Sequence, residues 1–318
     1  MENRVKRCRS IAFAAILLGC FAAAPIVAQT ALNPLQVALL RWYQVATLTS
    51  FRVGGAPIAA AFDGANIWVA NHAANTVSKL RANDGLLLGT YGVGAQPTGV
   101  LFDGGNVWVA NWASNTVTKL RASDGSLLAT ITVGTNPYGI AFDGMEIFVT
   151  NVGSNNITRI RIDNNQVSTL VVGNQPYGIA FDGGTLWVAN GGSGTVTHVT
   201  TAGSFLGTVS VGTAPLGIAF DGANMWVTNS GSGSVTKIRT SDSVVLGTFA
   251  VGNYPCGIAF DGNYIWVAND LGGSLSKLRA SDGTTFTTVT GLLNPTGVAF
   301  DGANIWVTEE GSNIVAKM

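Results

Sequence analysis

VGAQPTGVLFDGGNVWVANWASNTVTKLRASDGSLLATITV, Val93 to Val133, is the stretch that decides the reading of this 318-residue chain, because it is written seven times. Its Phe-Asp-Gly word recurs at Asp63, Asp103, Asp143, Asp182, Asp221, Asp261 and Asp301, at steps of 40, 40, 39, 39, 40 and 40 residues. A period of this size is the mark of one supersecondary unit repeated, and it has to be read before any single residue.

Within one copy, Ala95-Gln96-Pro97-Thr98 reads as a turn, with proline fixing φ and removing a ladder donor. Gly99 to Phe102 is a short apolar strand that ends at the Asp103-Gly104 turn. Asn106 to Ala110 is a second strand close enough for a hairpin. After a polar loop, Thr116 to Arg121 alternates β-branched and charged residues, the pattern of a half-exposed strand. A turn at Ala122-Ser123-Asp124-Gly125 leads to a fourth strand, Leu127 to Val133. No 3.6-residue period occurs anywhere in the unit, which excludes helical repeats.

Four antiparallel strands in about 40 residues make a β-propeller blade. The expected fold is therefore all-β, a seven-bladed propeller over residues 45–318 with repeats starting near 53, 93, 133, 172, 211, 251 and 291. Trp68, Trp108, Phe148, Trp187, Trp226, Trp266 and Trp306 share one position in the second strand and are expected to fill the space between blades. The seventh copy stops after its third strand. An orphan segment, Val45 to Gly54, aligns with a fourth strand so that Leu48 falls on Leu128, Phe51 on Ile131 and Val53 on Val133. That N-terminal strand should complete the last blade and close the ring.

Ahead of the repeats, a basic Met1–Ser10, an apolar Ile11–Ala24 and a small-residue Ile26-Val27-Ala28 read as a signal peptide, residues 1–28, followed by a lead-in, residues 29–44. The apolar run is too short for a spanning helix, and nothing later is long enough. The expectation is export to the periplasm or the extracellular space. Leu17-Leu18-Gly19-Cys20 also resembles a lipobox, and processing there would tether the protein to a membrane through Cys20. Cleavage after Ala28 leaves Cys256 as the single cysteine, so no internal disulfide can form.

The balance of charge limits the partners. Formal net charge is zero, but removing the first thirty residues leaves 13 basic and 16 acidic side chains, about −3. No basic stripe with stacking aromatics is present, which argues against nucleic acid. Charged residues are only 11% of the chain and glycines number 41, as expected of tightly turned, well-buried strands.

The pattern P-x-G-I-A-F-D-G, I-W-V-A-N and N-T-V-T-K-L-R with a Val-Gly-rich fourth strand resembles the YVTN/NHL-type β-propeller repeats, over Val45 to Met318. Propellers of that kind include exported YncE-like proteins, surface-layer-like proteins and, more distantly, relatives of virginiamycin B lyase. The resemblance implies a binding or scaffolding role more than catalysis, and fold does not settle function. The lyase relatives use metal-assisted elimination with histidine and acidic residues, whereas this chain has only His72 and His198. His198 replaces the third-strand Lys or Arg of other copies and reads as a polar strand residue.

Any local function should lie where the copies differ. After the strand-ending Asn the residues vary, and blades six, seven and one place Asp270, Glu309, Glu310 and His72 in an expected acidic arc with one imidazole. Such a set could hold a divalent cation or do acid–base work, as a metal-dependent lyase or hydrolase would; ordinary loop variation on a solvated face is the favoured explanation. On the same face, Tyr138, Tyr177 and Tyr254, with Trp112 nearby, offer amphipathic anchors for a protein or small-molecule ligand. The Phe-Asp-Gly aspartates read as turn residues rather than metal ligands, and the Lys-x-Arg pairs as a solvated rim meeting turn acids such as Asp84 and Asp124. The expected protein is a monomeric exported binding module, with the lyase and a cell-envelope structural protein as the alternatives.

Overall fold

The computed structural model describes residues 48–318. They form seven four-stranded antiparallel sheets and no helix. In blade two the strands are Pro97–Phe102, Asn106–Asn111, Thr116–Arg121 and Leu127–Thr132, and the other blades repeat this order. The first strand starts two residues earlier than its apolar run suggests. Pro97 pairs with Asn111 as the opening residue of the strand, where its missing N–H costs no ladder bond, and a bulge follows before Val100.

The ring closes as expected. Thr49–Arg52 pairs antiparallel with Ile314–Lys317, and Phe51 faces Val315 as Ile131 faces Val117 in blade two. The fourth strand of blade seven is thus the first strand of the propeller in sequence. Residues 45–47 of the expected strand, the signal peptide, the Cys20 lipobox and the lead-in lie outside the described residues. Among the described residues no helix is long and apolar enough to cross a membrane.

Seven apolar clusters fill the seven spaces between successive sheets, each drawing on two blades. Trp68 packs against Val107, Val109 and Leu120 of the next blade, and Phe148 plays the same part against blade four. Five of the six tryptophans at this position are at most 1% exposed and Trp266 is 8% exposed, so the shared position is the inter-blade packing residue.

The exposure of the outer strands departs from the sequence reading. Third strands are buried rather than half-exposed: in Thr116–Arg121 only the ends reach solvent. The apolar fourth strands carry the exposure, with Leu127 62%, Phe205 67% and Val171 84% accessible. The third strand is inside because a fourth covers its edge, and its lysines find partners there. Lys79, Lys119 and Lys237 are at least nine-tenths buried, each ammonium 4.6–5.0 Å from the centroid of its own blade's tryptophan and bonded to a backbone carbonyl of the next blade. The expected solvated rim therefore holds only for the arginines, which pair with turn acids as Arg81–Asp84, Arg121–Asp124 and Arg239–Asp242.

Candidate functional site

The turn residues that position the blades come first, since they decide where side chains can converge. Asp103 Oδ1 accepts the N–H groups of Gly105 and Asn106, capping its own turn, while Oδ2 accepts the Trp108 indole N–H at 2.7 Å. The same Asp–Trp bond occurs in all six tryptophan-bearing blades. Burial alone would raise the Asp103 carboxyl, but the bonds from Trp108, Asn106 and the backbone outweigh it and hold it below 3.8. Both oxygens are committed in these six blades, and Asp143, opposite Phe148, caps its turn through Oδ1 from Met145 and Glu146, so the row of seven reads as structural.

On the opposite face, the loops between second and third strands meet the proline turns, with Trp112 N bonded to Gln96 O and Asp270 N to Tyr254 O. Here the first strands line a cavity of about 510 Å³. The seven residues that follow the turn prolines, from Ile58 to Thr296, all contribute to its wall. The strands come this close because the next-but-one residue is glycine in six blades: a Cβ on Gly139 would lie 2.5 Å from the Tyr177 carbonyl oxygen, and Gly99, Gly178, Gly217 and Gly257 meet the corresponding oxygens of their neighbours. Blade one has Ala59 there instead.

The structure brings together part of the expected site. Tyr138, Tyr177, Tyr254, Asp270 and Glu310 all line the cavity. Tyr138 and Tyr177 meet edge to face at 5.1 Å, and Trp112 packs edge-on against Tyr138 at 6.2 Å without reaching the cavity itself. Tyr254 is 41% exposed at the mouth. Burial pushes the Tyr138 hydroxyl up, with Cys256, Tyr177, Tyr254 and Glu310 adding to the effect, so the phenol stays protonated.

The acidic arc does not assemble as expected. Glu309 is 5% exposed and its Oε2 accepts the Leu293 N–H at 2.8 Å, the loop amide that Ser114 holds at Ala95 and Ser154 at Thr135. It stands in the register of the strand-ending Asn, and its carboxylate is committed to that loop amide. His72 binds the Pro97 carbonyl through Nδ1 at 3.2 Å and does not line the cavity. Only Asp270, which accepts a bond from Asn294, and Glu310 remain. Among the described residues no group of three or more His, Cys, Asp or Glu is placed to hold a metal ion.

His198 stacks on Trp187 at 4.5 Å and its Nε2 lies 3.4 Å from Ser243 Oγ of the next blade. It does the bridging work of the lysines, and burial pushes its imidazole down, with Asp182 opposing. Cys256, which the sequence presents only as the one retained thiol, is the residue that reasoning from sequence undervalued. Its Sγ lies 3.4 Å from three carbonyls, those of Ala268, Pro295 and Thr296, as the Thr98 hydroxyl bonds those of Ala110, Pro137 and Tyr138. Burial pushes this thiol up to about 12, so it is not a nucleophile at neutral pH. The shared repeat position with Thr98 was the available signal.

Several solved structures share this fold. A structure described as a streptogramin B lyase superimposes with a TM-score of 0.74 at 19% identity, over 85% of this chain and 96% of that one. Hydrazine synthase of Kuenenia stuttgartiensis gives 0.73 at 20% identity, over 84% and 97%. A functionally unknown protein from Desulfotomaculum acetoxidans DSM 771 gives 0.68 at 15% identity, over 81% and 90%. No family model matches the chain, and no curated protein matches it. The likeness is one of fold and agrees with the propeller read from the repeats.

Proposed function

We propose that the protein is an exported binding module whose ligand, a small molecule or the end of a partner's chain, enters the axial cavity between the proline turns. The observation that supports this reading is the cavity itself: about 510 Å³, walled by strand backbone and apolar side chains, with three phenols and two carboxylates converging on it. That combination of an apolar wall with a few polar groups is what ligand sites commonly offer.

The lyase alternative draws on the fold likeness to the streptogramin B lyase structure. Elimination by a histidine base needs an imidazole in the cavity, and neither His72 nor His198 lines it.

A fragment set screened by thermal shift tests the binding reading. Leu216, on the wall, is changed to Trp to fill the space. At least one fragment should raise the Tm of the native protein and lose that effect in Leu216→Trp. Fragment shifts that persist unchanged in the filled variant would count against the cavity as the binding site.

A further inference from the structure

We infer that the axial cavity selects an organic cation, a protonated or quaternary amine carried on an apolar or aromatic body. The inference rests on the reading of this cavity as a ligand site and adds the chemical class.

The first argument is the sign of the wall. Two carboxylates, Asp270 and Glu310 on adjacent blades six and seven, line the cavity, and no Lys, Arg or His does. Neither carboxylate is neutralised by an ion pair among the described residues. The five ion pairs among the described residues all involve third-strand arginines, from Arg81 to Arg239. Asp270 has one neutral partner, the Asn294 amide at 2.9 Å, and the Glu310 side chain has neither a hydrogen bond nor an ion pair among the described residues. A concave site lined by one sign of charge with low-dielectric walls concentrates the opposite charge.

The second argument is independent of the first. Tyr138 and Tyr177, on blades three and four, give the cavity an aromatic side, and Tyr254 from blade six adds a third phenol at the mouth. Their hydroxyls have no hydrogen-bond partner among the described residues. Cations are drawn to the faces of such rings, the more strongly the further they are desolvated.

The same chain already uses this chemistry elsewhere. Its lysines sit over tryptophans at 4.4–5.3 Å between the blades. Around the axis the rings and carboxylates are present, and no described residue supplies the cation. An anionic ligand would meet two carboxylates and no counter-charge, and a neutral one would leave both unpaired. Uncharged walls make up the rest, so the body of the ligand can be apolar.

Three probes of nearly one shape separate charge from shape by isothermal titration at neutral pH and low salt: 2-phenylethylammonium, 2-phenylethanol and 3-phenylpropanoate. The ammonium should bind about tenfold tighter than the alcohol, and the carboxylate should not bind measurably. Asp270→Asn combined with Glu310→Gln should bring the ammonium to within about twofold of the alcohol, and salt should weaken only the ammonium. Tyr138→Ala should weaken the ammonium more than the alcohol. Equal affinity for ammonium and alcohol overturns the selectivity and leaves the cavity a ligand site, as does a preference for the carboxylate. No binding by any of the three at millimolar concentration overturns both. Circular dichroism of each variant confirms that the blades remain folded, so lost binding reads on the site.

Discussion

Lys79 Nζ donates a 2.6 Å hydrogen bond to the carbonyl oxygen of Ala122, a residue 43 positions later and one blade on. The ammonium also lies 5.0 Å from the Trp68 ring centroid, so one buried charge is held by its own blade and by the next. Lys119 reaches Ile162, Lys237 reaches Ala280, and Lys317 reaches Ala82 across the closure of the ring. Arg159 does the same with Thr201, and His198 reaches the turn residue Ser243. Lys277 makes no such bond among the described residues, and its ammonium sits among Tyr264, Trp266 and Phe286 at 4.0–5.3 Å.

This difference predicts an asymmetry between two identical substitutions. Lys79→Met keeps the stem over Trp68 and removes a charged bond to a buried carbonyl, which should cost about 2 kcal/mol. Lys277→Met removes no such bond and should cost less than about 1 kcal/mol. Equilibrium urea unfolding of the two variants checks this. Equal losses would mean that the inter-blade bond contributes nothing beyond packing.

The Asp–Trp bonds predict the acid limb of stability. In Asp63, Asp103, Asp182, Asp221 and Asp301, burial raises the carboxyl pKa but the indole, side-chain and backbone donors lower it more, so each folded value lies below 3.8. A group depressed on folding binds fewer protons folded than unfolded. Its contribution is present above the unfolded value and is lost as pH falls through the folded one. The aspartates' share of Tm should therefore be flat from neutral pH down to about 5 and be lost below about 4, while the depressed His198 adds its own decline as pH falls below about 6.5. Trp108→Phe removes one donor and should make the fall in Tm below pH 4 shallower. A variant that loses stability equally at every pH would show that the indole bond does not act on the Asp103 carboxylate.

Closure of the ring rests on a strand from the far end of the chain, and Phe51 is its anchor. Its ring lies 5.6 Å from Trp306 and leaves no room for a side chain at Gly85, the position that Tyr91 occupies over Gly125. Phe51→Ala should cost about 2–3 kcal/mol, somewhat less than for a fully buried Phe. Removing Thr49–Arg52 should cost more and expose the edge of Ile314–Lys317, giving concentration-dependent association by light scattering. A deletion variant that keeps full Tm and stays monomeric would contradict closure by this strand.

What the sequence made legible is what repeats locally. The 40-residue spacing, the Asp-Gly turns and the match of Phe51 to Ile131 fixed the blades, because hairpins are decided by neighbours in sequence. The phenols at Tyr138 and Tyr177 were legible for the same reason, as residues at one repeat position facing one axis. The burial of Lys79 was not, since T-V-S-K-L-R reads as amphipathic and its acceptor is a carbonyl in another blade. Glu309 misled because its charge suggested chemistry, although it stands in the register of Asn71 and its carboxylate is taken by the Leu293 loop amide. The indole bond of Trp108 to Asp103 was hidden by distance as well: a turn cap explains the aspartate fully until the next strand folds back over it.

The loops of the cavity face are latched unevenly, and this gives a stabilising substitution. Asn75, Asn115, Asn155 and Asn313 sit at φ near 56°, and each Oδ1 accepts a loop N–H of the next blade, from Gln96, Asn136, Gln175 and Ala56 at 2.8–2.9 Å. At the three remaining junctions the residue is Gly194, Gly233 or Gly273, with the same left-handed backbone and no side chain to offer. A Cβ on Gly233 would meet nothing closer than 3.5 Å, whereas one on Gly273 would lie 3.0 Å from the Leu292 carbonyl. Asparagine tolerates this backbone at four equivalent sites, so Gly233→Asn should bond the N–H of Tyr254 and restrict the unfolded chain. Its gain should be about 1 kcal/mol. Asn115→Gly should lose about as much. Thermal unfolding of both variants checks the pair, and a Gly233→Asn protein less stable than the native one would mean that blades five and six hold a spacing the asparagine latch cannot bridge.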